Sequence, residues 1–201
     1  MIERAPELQR FLDLTAEAIA RVGSPAAPAC MAAAKVFTAL ARPAPRDAAT
    51  KPSRLPVCAQ LAAALAAARA ASGTTASLAD AFAAIEPSLA WRRRPGTEDA
   101  AADFRDGHAN ARIVGAAGLE PRDDAMVGVS LIAPAIQYPD HHHAPEEVYI
   151  ALSPGEWRQG DDPWHAPGMG GLVYNPPGIV HAMRSGNAPL LAIWCLWAGG
   201  A

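Results

Sequence analysis

The chain has 201 residues, of which 51% are hydrophobic, and a formal net charge of −3. That is enough for one or two small domains with a real core. It leaves no electrostatic footprint for nucleic acid, no stretch long enough to span a membrane and no signal peptide at the mixed-charge start.

Composition shifts near residue 88, from Ala-rich segments with helical punctuation to Gly-, Pro-, Trp- and His-rich ones with strand-like punctuation. Two regions are expected: a helical one over 1–88 that packs on a barrel, and the β-barrel itself over 89–201. Leu8, Phe11, Leu12, Thr15, Ile19 and Val22 recur at helical spacing and predict a helix over 6–22, ended by Gly23. A second helix is expected over 28–41, stopping before Pro43. Four prolines between 42 and 56 read as a loop. Pro56 suits the first turn of a third helix, with Val57, Leu61 and Leu65 on one face and Gly73 just past its end. A fourth is expected from Ser77, with Asp80 as a partial capping box and Pro87 as its stop. Arg92, Arg93 and Arg94 read as a solvated patch.

Strands are expected over 111–116, 126–137, 147–152, 171–175, 181–185 and 190–197, separated by Gly/Pro turns. Many short strands of this kind make a sandwich or barrel. Cys30, Cys58 and Cys195 form no C-x-x-C pair, so buried free thiols and a cytoplasmic location are the expectation.

The segment from Tyr138 to Tyr149 reads Tyr-Pro-Asp-His-His-His-Ala-Pro-Glu-Glu-Val-Tyr. Alternation along a strand puts His141 with His143, and Glu147 with Tyr149, on common faces. His142 falls on the opposite face. A run of three histidines alone is weak evidence. A distant Pro-Pro-Gly turn delivering His181 strengthens it, because three imidazoles and a carboxylate suit a transition metal. His141, His143, Glu147 and His181 are the candidate ligands for one divalent ion: zinc, iron or manganese.

H-x-H-x3-E-x-Y (His141, His143, Glu147, Tyr149) followed by G-x5-P-x-G-x2-H (Gly170, Pro176, Gly178, His181) resembles the two cupin motifs. The resemblance covers about 125–197. It implies a mainly β fold, a cupin (double-stranded β-helix, or jelly-roll) barrel, behind N-terminal α-helices. Departures fall in turns: Ala135 and Ser185 stand where Gly and Asn are usual, and Gly155 comes one place late. The H-H-H-A-P-E-E-V-Y run, Glu156-Trp157, Asp162-Pro163-Trp164, Val180-His181-Ala182-Met183 and the closing segment to Trp197 are similar to the cupin-type dimethylsulfoniopropionate (DMSP) lyases. Tyr138, eleven residues before Tyr149, is most like the DddQ branch.

That resemblance implies a carbon–sulfur lyase cleaving DMSP to dimethyl sulfide and acrylate by β-elimination, with a metal and no organic cofactor. Tyr138 and Tyr149 are the candidate bases. The resemblance assigns proton abstraction to Tyr138 and a metal-side role to Tyr149, and leaves His141 either a ligand or a catalytic neighbour of the substrate. A sulfonium favours aromatic faces, so Tyr174, Trp194 and Trp197 join the two tyrosines as substrate-binding candidates. Trp157, Trp164 and His165 read as a loop anchored by its tryptophans, and His108 as structural. Two alternatives stay open: an iron-dependent cupin dioxygenase and a non-catalytic cupin binding a small carboxylate. The helices are left to pack on the barrel, cap its mouth or form a homodimer surface.

Overall fold

The computed structural model describes residues 3–44, 51–97 and 100–199. Helix α1 (Pro6–Val22) forms as its periodicity predicts, with Pro6 in the first turn and Leu8, Phe11, Leu12, Thr15 and Ile19 buried on one face. Helix α2 (Pro28–Leu40) follows. A 3₁₀ turn over Pro56–Gln60 leads into α3 (Leu61–Ala70). Part of the expected proline-rich loop, 45–50, lies outside the described residues.

Helix α4 runs Gly73–Ile85 and so begins four residues before the expected start. Ser72 and Gly73, both at positive φ, make the reversal that links it to α3. Gly73 therefore opens one helix as well as following another. Asp80 accepts a hydrogen bond from Arg69 at 2.7 Å and is not a cap.

Among the described residues nine strands follow: β1 (Trp91–Arg92), β2 (His108–Val114), β3 (Ala125–Ile132), β4 (Gln137–His141), β5 (Glu147–Ala151), β6 (Glu156–Gln159), β7 (Leu172–Asn175), β8 (His181–Arg184) and β9 (Leu190–Trp197). A short helix, α5 (Ala102–Gly107), precedes β2. The first, short helix-like and strand segments α5, β1 and β6 carry too few residues to show a period. All neighbouring strands pair antiparallel, in sheets of order β1-β2-β3-β9-β5-β7 and β4-β8-β6.

The segment expected as one strand over 126–137 is two strands in different sheets. Pro134 lacks a donor for a ladder, and Ala135 sits at φ 60. The chain turns there, and Ser185 Oγ donates to the carbonyl of Ala133 at 2.6 Å and accepts from the Ile136 amide at 3.1 Å. Ser185 thus fills the turn-closing place where the cupin pattern has Asn.

The large sheet has two different faces. Ala109, Ala111, Ile113, Val127, Val129, Leu131, Val148, Ile150, Leu191, Ile193 and Cys195 share one apolar core with helices α1–α4. The other face closes the barrel against the small sheet, around Tyr138, Tyr149, Trp157, Met183 and Trp194. Among the described residues no helix is long and apolar enough to cross a membrane.

The left-handed conformation of Ala135 costs an L-residue energy that glycine avoids. Replacing Ala135 with Gly is expected to stabilise the fold by about 0.5–1 kcal/mol, read as a higher midpoint in urea denaturation.

Candidate metal centre

Three elements bring the candidate residues together. In the β4–β8 ladder Tyr138 pairs with Met183 and His141 with His181, so three steps on β4 oppose two on β8. This bulge puts Tyr138 and His141 on the same inner face although one number is even and the other odd. Strand β5 alternates regularly, with Glu147 and Tyr149 turned into the barrel. His181 arrives through a turn in which the Ile179 amide donates to the Pro176 carbonyl at 3.2 Å and Gly178 takes φ 74. The Gly178 amide donates to the carbonyl of His143 at 2.9 Å, which ties the two motifs together.

Among the described residues, His143, Glu147 and His181 form a group whose donor atoms all lie within 4.8 Å of one another. Nδ1 of His143 lies 2.8 Å from the Pro145 carbonyl and Nδ1 of His181 3.1 Å from that of Ile179. A carbonyl only accepts, so each Nδ1 carries the proton and each Nε2 presents a lone pair to the centre. Both Nε2 atoms lie 3.2 Å from Glu147 Oε2. The Nε2 of His181 is buried and has no aligned hydrogen-bond partner. An orphaned imidazole nitrogen beside a buried carboxylate is what an ion would satisfy, and this donor set fits zinc, iron or manganese.

His141 lies outside the 4.8 Å group. Its ring centroid is 4.0 Å from that of His181 and 4.5 Å from that of Tyr138, and its Nδ1 is 3.0 Å from the Pro139 carbonyl. His142 is exposed. Burial would raise the Glu147 pKa, but hydrogen bonds and charge from His143 and His181, when those imidazoles are protonated in place of an ion, outweigh it and hold the carboxyl at about 2. Burial works against charging His143, yet Glu147 beside it raises its pKa on balance. Burial and the neighbouring His181 push His141 down to about 3.

The two tyrosines differ in surroundings. Burial raises Tyr149 well above its ordinary value, and Glu147, its hydrogen-bond partner, raises it further. Burial also raises Tyr138, but there Arg94 and Asn110 act in the opposite sense as hydrogen-bond partners. Asn110 Oδ1 already receives Ser130 Oγ at 2.7 Å and lies 3.0 Å from His108 Nε2, so its amide nitrogen faces the tyrosine. Arg94 lies 5.5 Å from the ring centre of Tyr138. These residues line a cavity of about 280 Å³ together with His141, Glu147 and Trp194.

Arg94 and Asn110 were missed in the sequence. The signal for Asn110 was present: His108, Asn110 and Arg112 alternate with Ala109, Ala111 and Ile113, so β2 has a polar face, and here that face lines the barrel. Arg94 carried no such signal, since a run of three arginines usually marks a solvated patch. His108 is buried, stacked on Phe104 at 4.9 Å and edge-on to Tyr138 at 4.6 Å.

Of the aromatic candidates, Trp194 faces the cavity and lies across Gly128, its partner on β3. A Cβ at Gly128 would stand 2.1 Å from the indole, so only glycine leaves room for that ring. Tyr174 and Trp197 do not face the cavity. On β7, Val173 and Asn175 point inward while Tyr174 packs toward the helices and donates to Glu146 at 3.0 Å. On β9, the odd-numbered Trp197 lies on the helix side, opposite Trp194. Trp157 is a fully buried residue of β6, and Trp164 is stacked by the guanidinium of Arg184 at 4.4 Å.

The two sheets, the helical layer and the inward histidines define a cupin. Residues 30–192 match the family model described as dimethylsulfoniopropionate lyase, and the chain belongs to that family. It is 31% identical over 125 residues to DMSP lyase DddQ of Ruegeria pomeroyi, covering 62% of this chain and 62% of that protein. It is 31% identical over 128 residues to the DddL protein of Cereibacter sphaeroides, covering 63% of this chain and 53% of that one. The alignments thus span between about half and three-fifths of these relatives. The crystal structure of DddQ from Ruegeria pomeroyi DSS-3 superposes with a TM-score of 0.74 at 26% identity, over 96% of this chain and 92% of that one.

Burial holds His108 neutral in the folded chain down to about pH 4, against an ordinary value of 6.5. Between these values the unfolded chain binds the extra proton, so stability is kept above pH 6.5 and falls as pH drops through the window. His108→Phe is expected to flatten this slope by about 1.4 kcal/mol per pH unit, measured by urea denaturation of the metal-free protein from pH 7 to 4.

Proposed function

We propose that this protein is a DMSP lyase that splits its substrate into dimethyl sulfide and acrylate by β-elimination. The observation that carries the reading is one cavity lined both by His143 and Glu147, behind which His181 completes the donor group, and by Tyr138, flanked by Arg94 and Asn110. In this reading His143, Glu147 and His181 hold one divalent ion, with His141 as a fourth donor. The bound ion supplies Lewis-acid withdrawal of charge from the substrate carboxylate, which acidifies the α-proton.

Tyr138 is the proposed base. Donors aimed at its oxygen favour the phenolate, whereas Tyr149 donates to a carboxylate and is held protonated. The Tyr138 oxygen takes the α-proton, the electron pair forms the carbon–carbon double bond, and the carbon–sulfur bond breaks. Dimethyl sulfide leaves neutral and needs no general acid. The face of Trp194 suits the sulfonium before cleavage. Tyr149 stays near the donors as a polar wall of the pocket. Residues 1–88 act in this reading as a support for the large sheet, and the free cysteines Cys30, Cys58 and Cys195 suit a cytoplasmic enzyme.

The test is headspace gas chromatography of purified protein with DMSP, in air and without oxygen, after loading with zinc, iron or manganese. Dimethyl sulfide is expected in both atmospheres. A requirement for oxygen would point to the dioxygenase, and binding without product to the carboxylate-binding cupin. Replacing His143, Glu147 or His181 with Ala is expected to remove metal and activity together. Tyr138→Phe is expected to keep the metal and lower turnover by about 10²–10⁴-fold. Normal turnover in that variant sinks the assignment of the base.

A further inference from the structure

A chain of hydrogen bonds with only one possible direction ends on Glu147. It starts at the backbone carbonyl of Tyr174, which can only accept. Gln159 therefore turns Nε2 to that carbonyl. The same Nε2 donates to Asn175 Oδ1 at 2.7 Å. With Oδ1 engaged, Asn175 presents Nδ2 on its other side, where it donates to Glu147 Oε2 at 3.0 Å. Neither amide can flip without setting two donors or two acceptors against each other.

Burial makes this chain strict. Asn175 is 0% exposed and Glu147 3%, so water offers neither an alternative partner. The receiving oxygen, Oε2, is also the one 3.2 Å from both histidine Nε2 atoms. The chain also joins the two sheets. Gln159 pairs with His181 across β6 and β8, and Asn175 pairs with Glu147 across β5 and β7. The amides thus link the strand that bears the last histidine to the strand that bears the carboxylate.

Resting on the reading that His143, Glu147 and His181 hold a metal, we propose that Gln159 and Asn175 are positioning residues that fix the Glu147 carboxylate and aim Oε2 at the ion. Gln159 acts only through Asn175. Neither touches the substrate cavity, so their effect falls on the affinity and symmetry of the bound ion.

The experiment measures zinc affinity by competition with a chromophoric chelator, and the visible spectrum after cobalt(II) loading, for the unaltered protein, Asn175→Leu, Gln159→Leu and the double variant. Melting temperatures are taken with and without metal. Asn175→Leu is expected to weaken zinc binding by about 10–100-fold and to change the cobalt spectrum. Gln159→Leu, at a half-buried position, is expected to act in the same direction and serves should Asn175→Leu not fold. The double variant is expected to be no weaker than Asn175→Leu, because the two residues act in series. Affinities within twofold of the unaltered protein, with melting temperatures lowered equally with and without metal, would overturn the proposal and leave a merely structural role. Failure of the unaltered protein to bind any metal would sink the metal reading itself, and this inference with it.

Discussion

A carboxylate enclosed in a β-barrel is the constraint on which the rest of the site depends. Removing Glu147 from water costs several kcal/mol unless the lost solvation is replaced. The protein replaces part of it with the Asn175 amide at 3.0 Å and the neighbouring Tyr149, and sets two imidazole nitrogens 3.2 Å away whose lone pairs an ion would join to the carboxylate. Each partner needs its own support. Carbonyls of Pro145 and Ile179 set the proton positions on the histidines, and the turn through Gly178 sets the distance between the two motifs. Main-chain carbonyls thereby fix the tautomers of the imidazoles that surround one ionised side chain.

The helical layer makes this arrangement affordable. In an ordinary half-buried sheet the face toward solvent is polar. Here α1–α4 cover the outer face of the large sheet, and that face carries the aliphatic core. The inner face is released from that duty and can hold His108, Asn110, Ser130, Glu147 and Asn175 in addition to its aromatic residues. The split is written along β2, where small apolar residues alternate with polar ones and the polar ones point inward. Burying aliphatic area against the helices stabilises the domain while the barrel interior is kept for polar chemistry.

Much of this was legible in the sequence, for identifiable reasons. α1 and β9 appear at their expected bounds because the first has a long, uninterrupted helical period and the second is an unbroken apolar run that begins after a turn. Glu147 and Tyr149 share a face because β5 is regular. The fine placement of Tyr138 was not legible, since it depends on a bulge that breaks parity across Pro139. Tyr174 and Trp197 were drawn into the substrate site by composition, although strand alternation already separated Trp197 from Trp194. The start of α4 was missed because Gly73 and Ser72 use positive φ to begin a helix where glycine usually ends one. Arg94 and Asn110 belong to the site through contacts made in three dimensions, and neither lies in a motif.

The bond from the Gly178 amide to the His143 carbonyl closes a loop of chain whose far side, 161–170, is largely exposed. Strands β5 and β7 run paired below it, and β6 and β8 beside it. Whatever length of chain is spliced in at the tip of this loop, its two ends are tied beside His143 and Gly178 by main-chain bonds that do not depend on side-chain identity. Such a segment can change in length at little mechanical cost to the residues it connects, so the rim of the barrel and its interior are mechanically separable.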